Sequence, residues 1–314
     1  MKTLVTGGKG LVGNAVRSAV SIEDLENVIF IDSKDGDLKD FNKCYDIFHV
    51  YRPDRVIHLA AKVGGVNANL KYTAEFFRET MLINMNVIEC CKQFNVKKLV
   101  SLLSTCIYPD LAPCPLKEES LHDGEPNVSN FGYAYAKRML EVQCRTYNKQ
   151  YGTNFVCLIP NNLYGPYDNF DLENSHVIPA LIRKIYEAKI SGGQAHLWGD
   201  GSSLREFTFS NDLGKIIWWA IEEYEGGPIN IGTNEEITIK QAAEHICKLL
   251  DFPATSIFWD TSKPSGQYKK TTDKSKFSGL NSKFVYISFK EGISQTIKWF
   301  LENIKIDKLR GYRL

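Results

Sequence analysis

Residues 2–16, KTLVTGGKGLVGNAV, give the strongest indication of the fold. KTLV is typical of a short apolar strand, and the segment NAVRSAV that follows the loop TGGKGLVG is typical of a helix. Gly7, Gly10 and Gly13 therefore stand in the strand–loop–helix setting that a dinucleotide-binding loop requires. Glycines let the backbone approach a pyrophosphate, and the helix N-terminus adds N–H groups and a partial positive charge. The stretch predicts a dinucleotide site, with a plain tight turn as the alternative.

Strand-like and helix-like segments alternate over the rest of the first half. The predicted strands are NVIFID (27–32), DRVIHLAA (54–61), KKLVSLLS (97–104) and NFVCLIP (154–160). The predicted helices include NMNVIECCKQF (84–94) and EVQCRTYNKQYG (141–152), the second ending at Gly152 as a C-cap. Nearly continuous apolar strands that alternate with helices predict a parallel sheet covered on both faces. Right-handed crossovers then make it an α/β fold, a Rossmann-type doubly wound parallel sheet.

The character of the chain changes near residue 165. YGPYDNFDLENSH is polar and rich in turn residues, HVIPALIRKIYEA is a predicted helix, and AHLWGDGSSLREFTFSNDLGKIIWWAIEE joins a strand, a glycine turn and a helix. We expect residues 1–165 to form the dinucleotide-binding Rossmann domain. Residues 166–314 are expected to form mainly a smaller α/β substrate-binding domain, with some segments returning to the first domain.

The composition limits the classes of partner. The 314 residues are 43% hydrophobic and 24% charged, as in an ordinary soluble protein, and the net charge of +1 favours neither nucleic acid nor an anionic membrane. No apolar run has the length of a membrane span, and the apolar run at the N-terminus is too short for a signal peptide. The spacing of the eight cysteines resembles no zinc site. We expect a cytoplasmic protein without a bound metal, in which seven thiols are free and Cys106 has a function.

The choice between NAD and NADP depends on the end of the second strand. Asp32 lies there, 19 residues after Gly13, and an acid at this place bonds the ribose hydroxyls of NAD and repels a 2′-phosphate. Lys9 inside the loop, together with Ser33 and Lys34 after the acid, could instead hold that phosphate. We predict NADP as the cofactor; the alternative is that both lysines only face water.

A second centre is predicted around GYAYAKRML, residues 132–140. On a helix, Lys137 lies one turn after Tyr133 and on the same face. A lysine ammonium beside a phenol lowers the pKa of the phenol and makes it a usable acid or base. Ser104, at the end of a predicted strand, can hold a substrate carbonyl beside that phenol. Together the three residues can polarise a ketone while a nicotinamide gives or takes hydride.

The glycine loop with Ser104, Tyr133 and Lys137 resembles the short-chain dehydrogenase/reductase family in its extended form, over nearly the whole chain. The resemblance implies the Rossmann fold, a nicotinamide cofactor and a homodimer formed through two helices per chain, here around residues 84–94 and 133–150.

Three further stretches narrow the resemblance within that family: Ser104-Thr105-Cys106, PNNLYGPYDNFDLENSHVIPAL with His176, and LWGDGSSLREF. They are similar to the GDP-L-fucose synthases, which epimerise and then reduce GDP-4-keto-6-deoxy-D-mannose with NADPH. The resemblance therefore implies a GDP-sugar as the substrate. Ser265 departs from the pattern, since family members often have an acid there.

The resemblance also implies the role of each catalytic residue. Inverting C3 and C5 beside a ketone requires proton removal and return from opposite faces, and a thiol and an imidazole can exchange those protons. Cys106 and His176 take this role by resemblance. Tyr133 then protonates the 4-keto oxygen, Ser104 positions that oxygen, and Lys137 tunes Tyr133 and holds the nicotinamide ribose.

Two binding sets follow from the same resemblance. Residues expected at the cofactor are Gly7, Gly8, Lys9, Gly10, Leu11, Val12, Gly13, Asp32, Ser33, Lys34, Asp37, Leu38, Leu59, Ala60, Ala61, Tyr133, Lys137, Pro160, Asn162, Leu163 and His176. Residues expected at the substrate are Ser104, Cys106, Asn162, Lys184, Trp198, Arg205 and Lys270.

Structural explanations compete at several of these positions. Cys106 and Trp198 could belong to the core, His176 could be a helix cap or a surface residue, and Arg205 could pair with Glu206. Other functions compete too. A dehydratase is expected to carry acids just after the strand-end serine, where this chain has Thr105-Cys106. A 4-epimerase is supported here by Asp32 alone, and a cofactor-sensing regulator without catalysis would be free to lose the tyrosine or the lysine.

Overall fold

A computed structural model describes residues 1–263, 269–304 and 309–312 of the chain, so Ser265 lies outside the described residues. The strands are β1 Thr3–Thr6, β2 Val28–Ile31, β3 Arg55–His58, β4 Lys98–Leu102, β5 Phe155–Pro160, β6 Asn162–Tyr164, β7 Ala195–Trp198, β8 Leu204–Phe209, β9 Ile229–Ile231, β10 Glu236–Thr238 and β11 Ile257–Asp260. The helices are α1 Leu11–Ala19, α2 Ile22–Leu25, α3 Phe41–Tyr51, α4 Val66–Lys71, α5 Thr73–Gln93, α6 Phe131–Tyr151, α7 Val177–Ser191, α8 Ser210–Glu223, α9 Ile239–Leu250, α10 Ser275–Leu280 and α11 Phe289–Ile304.

The main sheet has the strand order β2-β1-β3-β4-β5-β9, and every neighbouring pair in it is parallel. The chain runs outward from β1 to β2 and then crosses to β3 on the other side of β1. This reversal opens a crevice at the carboxyl ends of the central strands, which is where such sheets bind ligands. The predicted doubly wound parallel sheet is confirmed.

Both faces of the sheet are covered, because successive side chains of a strand point to opposite faces. Leu4 belongs to the apolar cluster that contains Phe48 of α3 and Ile88 of α5. Its neighbour Val5 belongs to the opposite cluster, with Val16 of α1 and further residues from α8. The fully buried strands explain why the sequence shows continuous apolar runs instead of alternation.

The second half of the chain has its own core and, together with β6, forms two small sheets, ordered β10-β8-β6 and β11-β7. Its apolar cluster includes Ile185 of α7, Phe207 of β8 and Phe300 of α11. Strand β9 nevertheless pairs with β5, and α8 packs closely on α1. The division of the chain near residue 165 stays a prediction.

Helix α5 is longer than the sequence predicted. It begins at Thr73 instead of near residue 84, because Phe76 and Thr80 continue its buried face. The end of α6 is confirmed at Gly152, whose φ of 66° is the left-handed conformation that suits a glycine C-cap. Among the helices that the structure describes, none has the length and apolarity of a membrane span.

Candidate active site

The glycine loop connects β1 to α1 in a tight turn. Gly7 has a φ of +69°, which glycine adopts readily. A Cβ atom at Gly13 would lie 2.6 Å from the Gly7 carbonyl oxygen, and one at Gly8 would lie 2.7 Å from Cβ of Phe30. Gly10 is the N-cap of α1 and contributes no capping side chain. The loop therefore forms a cradle of bare backbone at a helix N-terminus, which suits a pyrophosphate.

The negative charge of Asp32, beside the loop, is compensated by neighbouring groups. Its carboxylate forms an ion pair with Lys9, and its Oδ1 also accepts the Lys34 N–H at 2.7 Å. These bonds, first that of Lys9 and then that of Lys34, lower the pKa of Asp32, and the pair raises the pKa of Lys9. Because Lys9 offsets the acid, the repulsion that Asp32 would exert on a 2′-phosphate is reduced.

The end of β3 forms the wall next to the glycine loop. The N–H groups of Leu59 and Ala60 both donate to Oγ1 of Thr6 at 3.1 Å. A Cβ atom at Gly7 would lie 3.0 Å from the Ala60 nitrogen. Residues 59–61 thus lie against the predicted cofactor loop.

The other predicted cofactor residues lie near the ends of β2 and β5. Ser33, Lys34 and Asp37 are exposed, and Leu38 is buried. Pro160 ends β5 in the main sheet, and Asn162 and Leu163 belong to β6, which follows directly.

Ser104, Tyr133 and Lys137 come from two elements that meet at the sheet edge. Ser104 follows β4 and caps a short 3₁₀ turn at residues 105–107. Tyr133 and Lys137 are one turn apart on α6, and the Lys137 Nζ lies 5.8 Å from the centroid of the Tyr133 ring. Nζ also donates to the Leu102 carbonyl oxygen at 2.7 Å. The helix thus carries Tyr133 and Lys137 one turn apart, and Lys137 reaches the end of the strand that Ser104 follows.

The pKa of Tyr133 differs from the expectation. Burial raises it, and the neighbouring Cys106 adds to the effect. The net direction is opposite to the predicted lowering of the pKa, because desolvation of the phenol outweighs any effect of the Lys137 charge. Burial also lowers the pKa of Lys137 to about 8, against an opposing effect of Cys106 and then Cys157. Tyr133 is therefore held as a neutral phenol, which can donate a proton.

Cys106 lies in the turn capped by Ser104. Its backbone N–H donates to the Ser104 Oγ at 3.4 Å, and the residue is 9% exposed. It lines a small pocket whose other walls come from Tyr108, Pro109, Asp110, Cys114, Leu116, Asn127, Lys269 and Lys270. Burial lowers the pKa of Lys270, Cys106 opposes this effect, and the Arg205 charge adds to it. A thiol and cationic groups of the predicted substrate site therefore share one region.

His176 is the N-cap residue of α7 and makes no side-chain capping bond. The residue is exposed, yet protein atoms crowd its ring enough that desolvation lowers its pKa, with the Arg310 charge adding to the effect. The described lining of the Cys106 pocket does not include His176.

The remaining predicted substrate residues come from the second half of the chain. Lys184 of α7 places its Nζ 5.2 Å from the centroid of the Trp198 ring. Trp198 is 48% exposed, so it is not a core residue. Arg205 donates from Nη1 to the Leu204 carbonyl at 2.7 Å, and burial lowers its pKa.

The alternative explanation for Arg205 was an ion pair with Glu206, but the Glu206 carboxylate has other partners. It forms a buried ion pair with Lys274 and accepts from Thr272 Oγ1 at 3.2 Å. The Glu206 backbone carbonyl accepts the amide of Asn162 at 3.1 Å. The adjacent acid thus organises the strands behind the predicted substrate residues.

One buried group behind the site was missed by the sequence reasoning. His58 is 1% exposed; its Nδ1 lies 2.9 Å from Thr6 Oγ1, and its Nε2 lies 3.1 Å from Asn84 Oδ1. Burial and the Lys137 charge lower the pKa of His58 to about 3, so the ring is neutral. The sequence shows only a histidine within an apolar strand, and this pattern does not reveal the hydrogen-bond partners of the ring.

Comparisons with known proteins agree with this geometry. The model of the NAD dependent epimerase/dehydratase family matches residues 3–232. A GDP-L-fucose synthase of Dictyostelium discoideum is 44% identical, with 96% of this chain and 95% of that protein covered. The GDP-L-fucose synthase of Escherichia coli strain K12 is 35% identical over 99% of both chains. The crystal structure of a GDP-L-fucose synthetase from Naegleria fowleri bound to NADP has a TM-score of 0.91 and 42% identity, covering 98% of this chain and 94% of that one.

Proposed function

This chain belongs to the NAD dependent epimerase/dehydratase family, and we propose that it catalyses the GDP-L-fucose synthase reaction: 3,5-epimerisation of GDP-4-keto-6-deoxy-D-mannose followed by reduction at C4 with NADPH. The observation that carries the proposal is the buried thiol of Cys106, two residues after Ser104 at the end of β4, where Lys137 of α6 bonds the Leu102 carbonyl. A ketone reductase needs Ser104, Tyr133 and Lys137. The thiol adds a group that can exchange protons.

The chain fits NADP at the glycine loop. Gly8 and Gly13 let the loop pack tightly on Phe30 and on itself, and the backbone N–H groups at the N-terminus of α1 would bind the pyrophosphate. Lys9 and Lys34 would hold the 2′-phosphate, with Asp32 balanced by Lys9. When bound, NADPH supplies the hydride that the reduction needs.

In the reduction, the chain controls the oxygen at C4. Ser104 positions the keto oxygen by a hydrogen bond, and Tyr133 donates a proton to it. The raised pKa of Tyr133 suits this step, because the phenol stays protonated until the oxygen becomes basic. Lys137 holds the nicotinamide ribose and stabilises the phenolate that remains after proton transfer.

In the epimerisation, Cys106 and His176 exchange the protons at C3 and C5. The 4-keto group makes these protons acidic, and donors to its oxygen stabilise the enolate. His176, with its lowered pKa, is neutral at pH 7 and able to accept a proton. Inversion requires one group to remove a proton and another to return it from the opposite face.

The GDP end of the substrate lies along the second half of the chain. Arg205 offers a planar fork for a diphosphate, and Lys184 and Lys270 add charge. The half-exposed Trp198 beside Lys184 provides a ring face for the nucleotide, and Asn162 is fixed by its bond to the Glu206 carbonyl.

A second copy of the chain would cover α5 and α6, which pack side by side. Phe77 and Met85 on α5 and Phe131 and Tyr151 on α6 are between 41% and 51% exposed, which is high for large apolar side chains. We propose that the protein is a cytoplasmic homodimer through this face. Light scattering of the purified protein should give twice the mass of the chain, and Met85→Asp should give one chain mass.

The function is tested with GDP-4-keto-6-deoxy-D-mannose in heavy water, with NADPH or NADH. Absorbance at 340 nm reports oxidation of the cofactor, and NMR reports deuterium at C3 and C5. We expect NADPH oxidation together with deuterium at both carbons. Oxidation without deuterium would indicate a plain 4-reductase. If neither occurs, the chain acts on another sugar nucleotide.

A further inference from the structure

Gly65 contacts the backbone directly before His176. Its N–H donates to the Asn174 carbonyl oxygen at 3.0 Å. A Cβ atom at Gly65 would lie 2.5 Å from the Ser175 carbonyl oxygen. Ser175 is bonded to His176, which begins α7 as its N-cap. The Ser175 peptide therefore packs directly against Gly65, which lies 110 residues earlier in the sequence.

The backbone of Gly65 does not itself require a glycine. Its φ of −67° and ψ of 177° are extended values that any residue adopts. What a side chain would disturb is the Ser175 carbonyl, because Cβ atoms in proteins essentially never approach another heavy atom within 3.0 Å. An alanine would thus force that carbonyl from 2.5 Å to at least 3.0 Å, and the adjoining His176 peptide would move with it.

One bond set closes the start of α4, and one further contact fixes its end against the same segment. Asn69 donates from Nδ2 to the carbonyl oxygens of Gly64 at 2.8 Å and Gly65 at 3.0 Å. At the other end of α4, Lys71 forms an ion pair with Glu173 at 3.0 Å. The short helix is therefore tied to residues 173–175 at both of its ends.

Tyr133 lies on α6, which packs against the start of α5. A Cβ atom at Gly132 would lie 2.4 Å from the Thr73 carbonyl, at the start of α5. The rings of Phe76 and Tyr133 pack edge to face with centroids 6.3 Å apart. The stretch from Gly65 to Phe76 thus touches the His176 segment at one end and Tyr133 at the other.

We propose that Gly65 is a positioning residue for the epimerisation: by seating the Ser175 carbonyl, it sets the His176 imidazole within proton-transfer reach of the sugar. The inference rests on the proposed function, in which His176 exchanges a proton at C3 or C5. Proton transfer needs hydrogen-bond reach, and a misplacement of about 1 Å can cost on the order of a hundredfold in rate. Hydride transfer depends on Tyr133, which Gly65 reaches only indirectly, through α4 and the contacts of Thr73 and Phe76 at the start of α5.

The test is the product composition of Gly65→Ala with GDP-4-keto-6-deoxy-D-mannose and NADPH in heavy water. When epimerisation slows and reduction does not, more sugar is reduced before both centres have inverted. We expect the ratio of incompletely epimerised to fully epimerised product to rise about tenfold or more. Partial unfolding lowers both products equally and leaves this ratio unchanged. Gly279→Ala is the matched control, because no atom lies within 4 Å of its added Cβ.

A wild-type ratio in folded Gly65→Ala would overturn the inference while leaving the proposed function intact. A wild-type enzyme that neither exchanges deuterium nor oxidises NADPH would overturn both. If Gly65→Ala does not fold, the exposed ion pair between Lys71 and Glu173 provides the test instead. Lys71→Glu should raise the ratio about twofold, within the range of an exposed pair, and adding Glu173→Lys should restore it. An unchanged ratio in Lys71→Glu would then overturn the inference.

Discussion

Lys9 of the glycine loop forms an ion pair with Asp32, the acid at the end of β2. The side chain of Lys9 is 70% exposed and that of Asp32 is 13% exposed, so the cation lies on the outer side of the pair. A phosphate approaching the cofactor ribose would meet the lysine before the carboxylate. The pair thus explains how a loop followed by an acid can accept NADP.

Lys9→Ala should weaken NADPH binding selectively. The substitution removes a charge-assisted contact to the 2′-phosphate and leaves Asp32 uncompensated, so Kd for NADPH should rise about tenfold. Kd for NADH should change little, since NADH has no 2′-phosphate. Asp32→Asn should shift the preference toward NADPH.

Both dissociation constants can be measured by fluorescence of the reduced nicotinamide. Lys43→Ala, at an exposed position of α3, is the control for loss of one surface charge. An equal loss of NADPH and NADH affinity in Lys9→Ala would show that Lys9 does not contact the 2′-phosphate.

Tyr133→Phe should separate reduction from epimerisation. Without the phenol proton, NADPH oxidation should fall on the order of a hundredfold to ten-thousandfold. Deuterium exchange at C3 and C5 should fall by less than about tenfold, because Cys106 and His176 remain and Ser104 still bonds the keto oxygen. Rates of exchange by NMR and of oxidation at 340 nm give the two values.

Cys106→Ser should have the opposite effect, with exchange lost and slow reduction of the unepimerised sugar retained. A serine hydroxyl is a far weaker base than a thiolate. Cys114→Ser is the matched control, since Cys114 is an exposed thiol on the wall of the same pocket. Parallel losses of exchange and oxidation in Cys106→Ser would contradict the separate role of this thiol.

The rate of reduction should fall as the pH rises through about 8. Burial lowers the pKa of Lys137 to about 8, so its charge is present below that pH and lost above it. The loss removes the cation that stabilises the Tyr133 phenolate. Single-turnover NADPH oxidation between about pH 6.5 and 10 should show this limb. Lys137→Arg keeps the charge over the whole range, so its profile should lack the limb; an identical limb in that variant would assign it to another group.

The local parts of the site could be predicted from the sequence. The glycine loop depends on spacing within residues 7–13, and the Tyr133–Lys137 pair depends on one helical turn, so neither needs a long-range contact. The doubly wound sheet could also be predicted, because each apolar strand is recognisable from its own residues. Cys106 and His176 were expected by resemblance, and their catalytic roles stay a prediction.

The parts that sequence reasoning missed depend on contacts between distant residues. The His58–Asn84 bond joins β3 to α5, and the Gly65–Ser175 approach joins residues 110 apart. The direction of the Tyr133 pKa shift was also missed, because spacing gives the neighbouring charge and leaves out how deeply the phenol is buried. Burial and long-range register require the folded chain.

The buried pair of Glu206 and Lys274 should be the most sensitive charge pair for stability. Their side chains are 1% and 5% exposed, and Lys274 also donates to the Thr233 carbonyl at 2.9 Å. Lys274→Met leaves the Glu206 charge buried without its partner, which costs about 3–5 kcal/mol. In a chain of this size, Tm should fall by roughly 5–10 °C.

Differential scanning calorimetry measures this effect, with the exposed Lys276→Met as the matched control. Adding Glu206→Gln to Lys274→Met should recover most of the lost Tm, because no buried charge then remains unpaired. The Glu206 backbone carbonyl accepts the amide of Asn162, and Arg205 directly precedes Glu206 on β8. Because both neighbours are predicted substrate residues, Lys274→Met should also raise KM for the sugar nucleotide more than Kd for NADPH. A Tm equal to that of Lys276→Met would mean that water replaces the lysine, and that the pair orders the substrate strands without stabilising the fold.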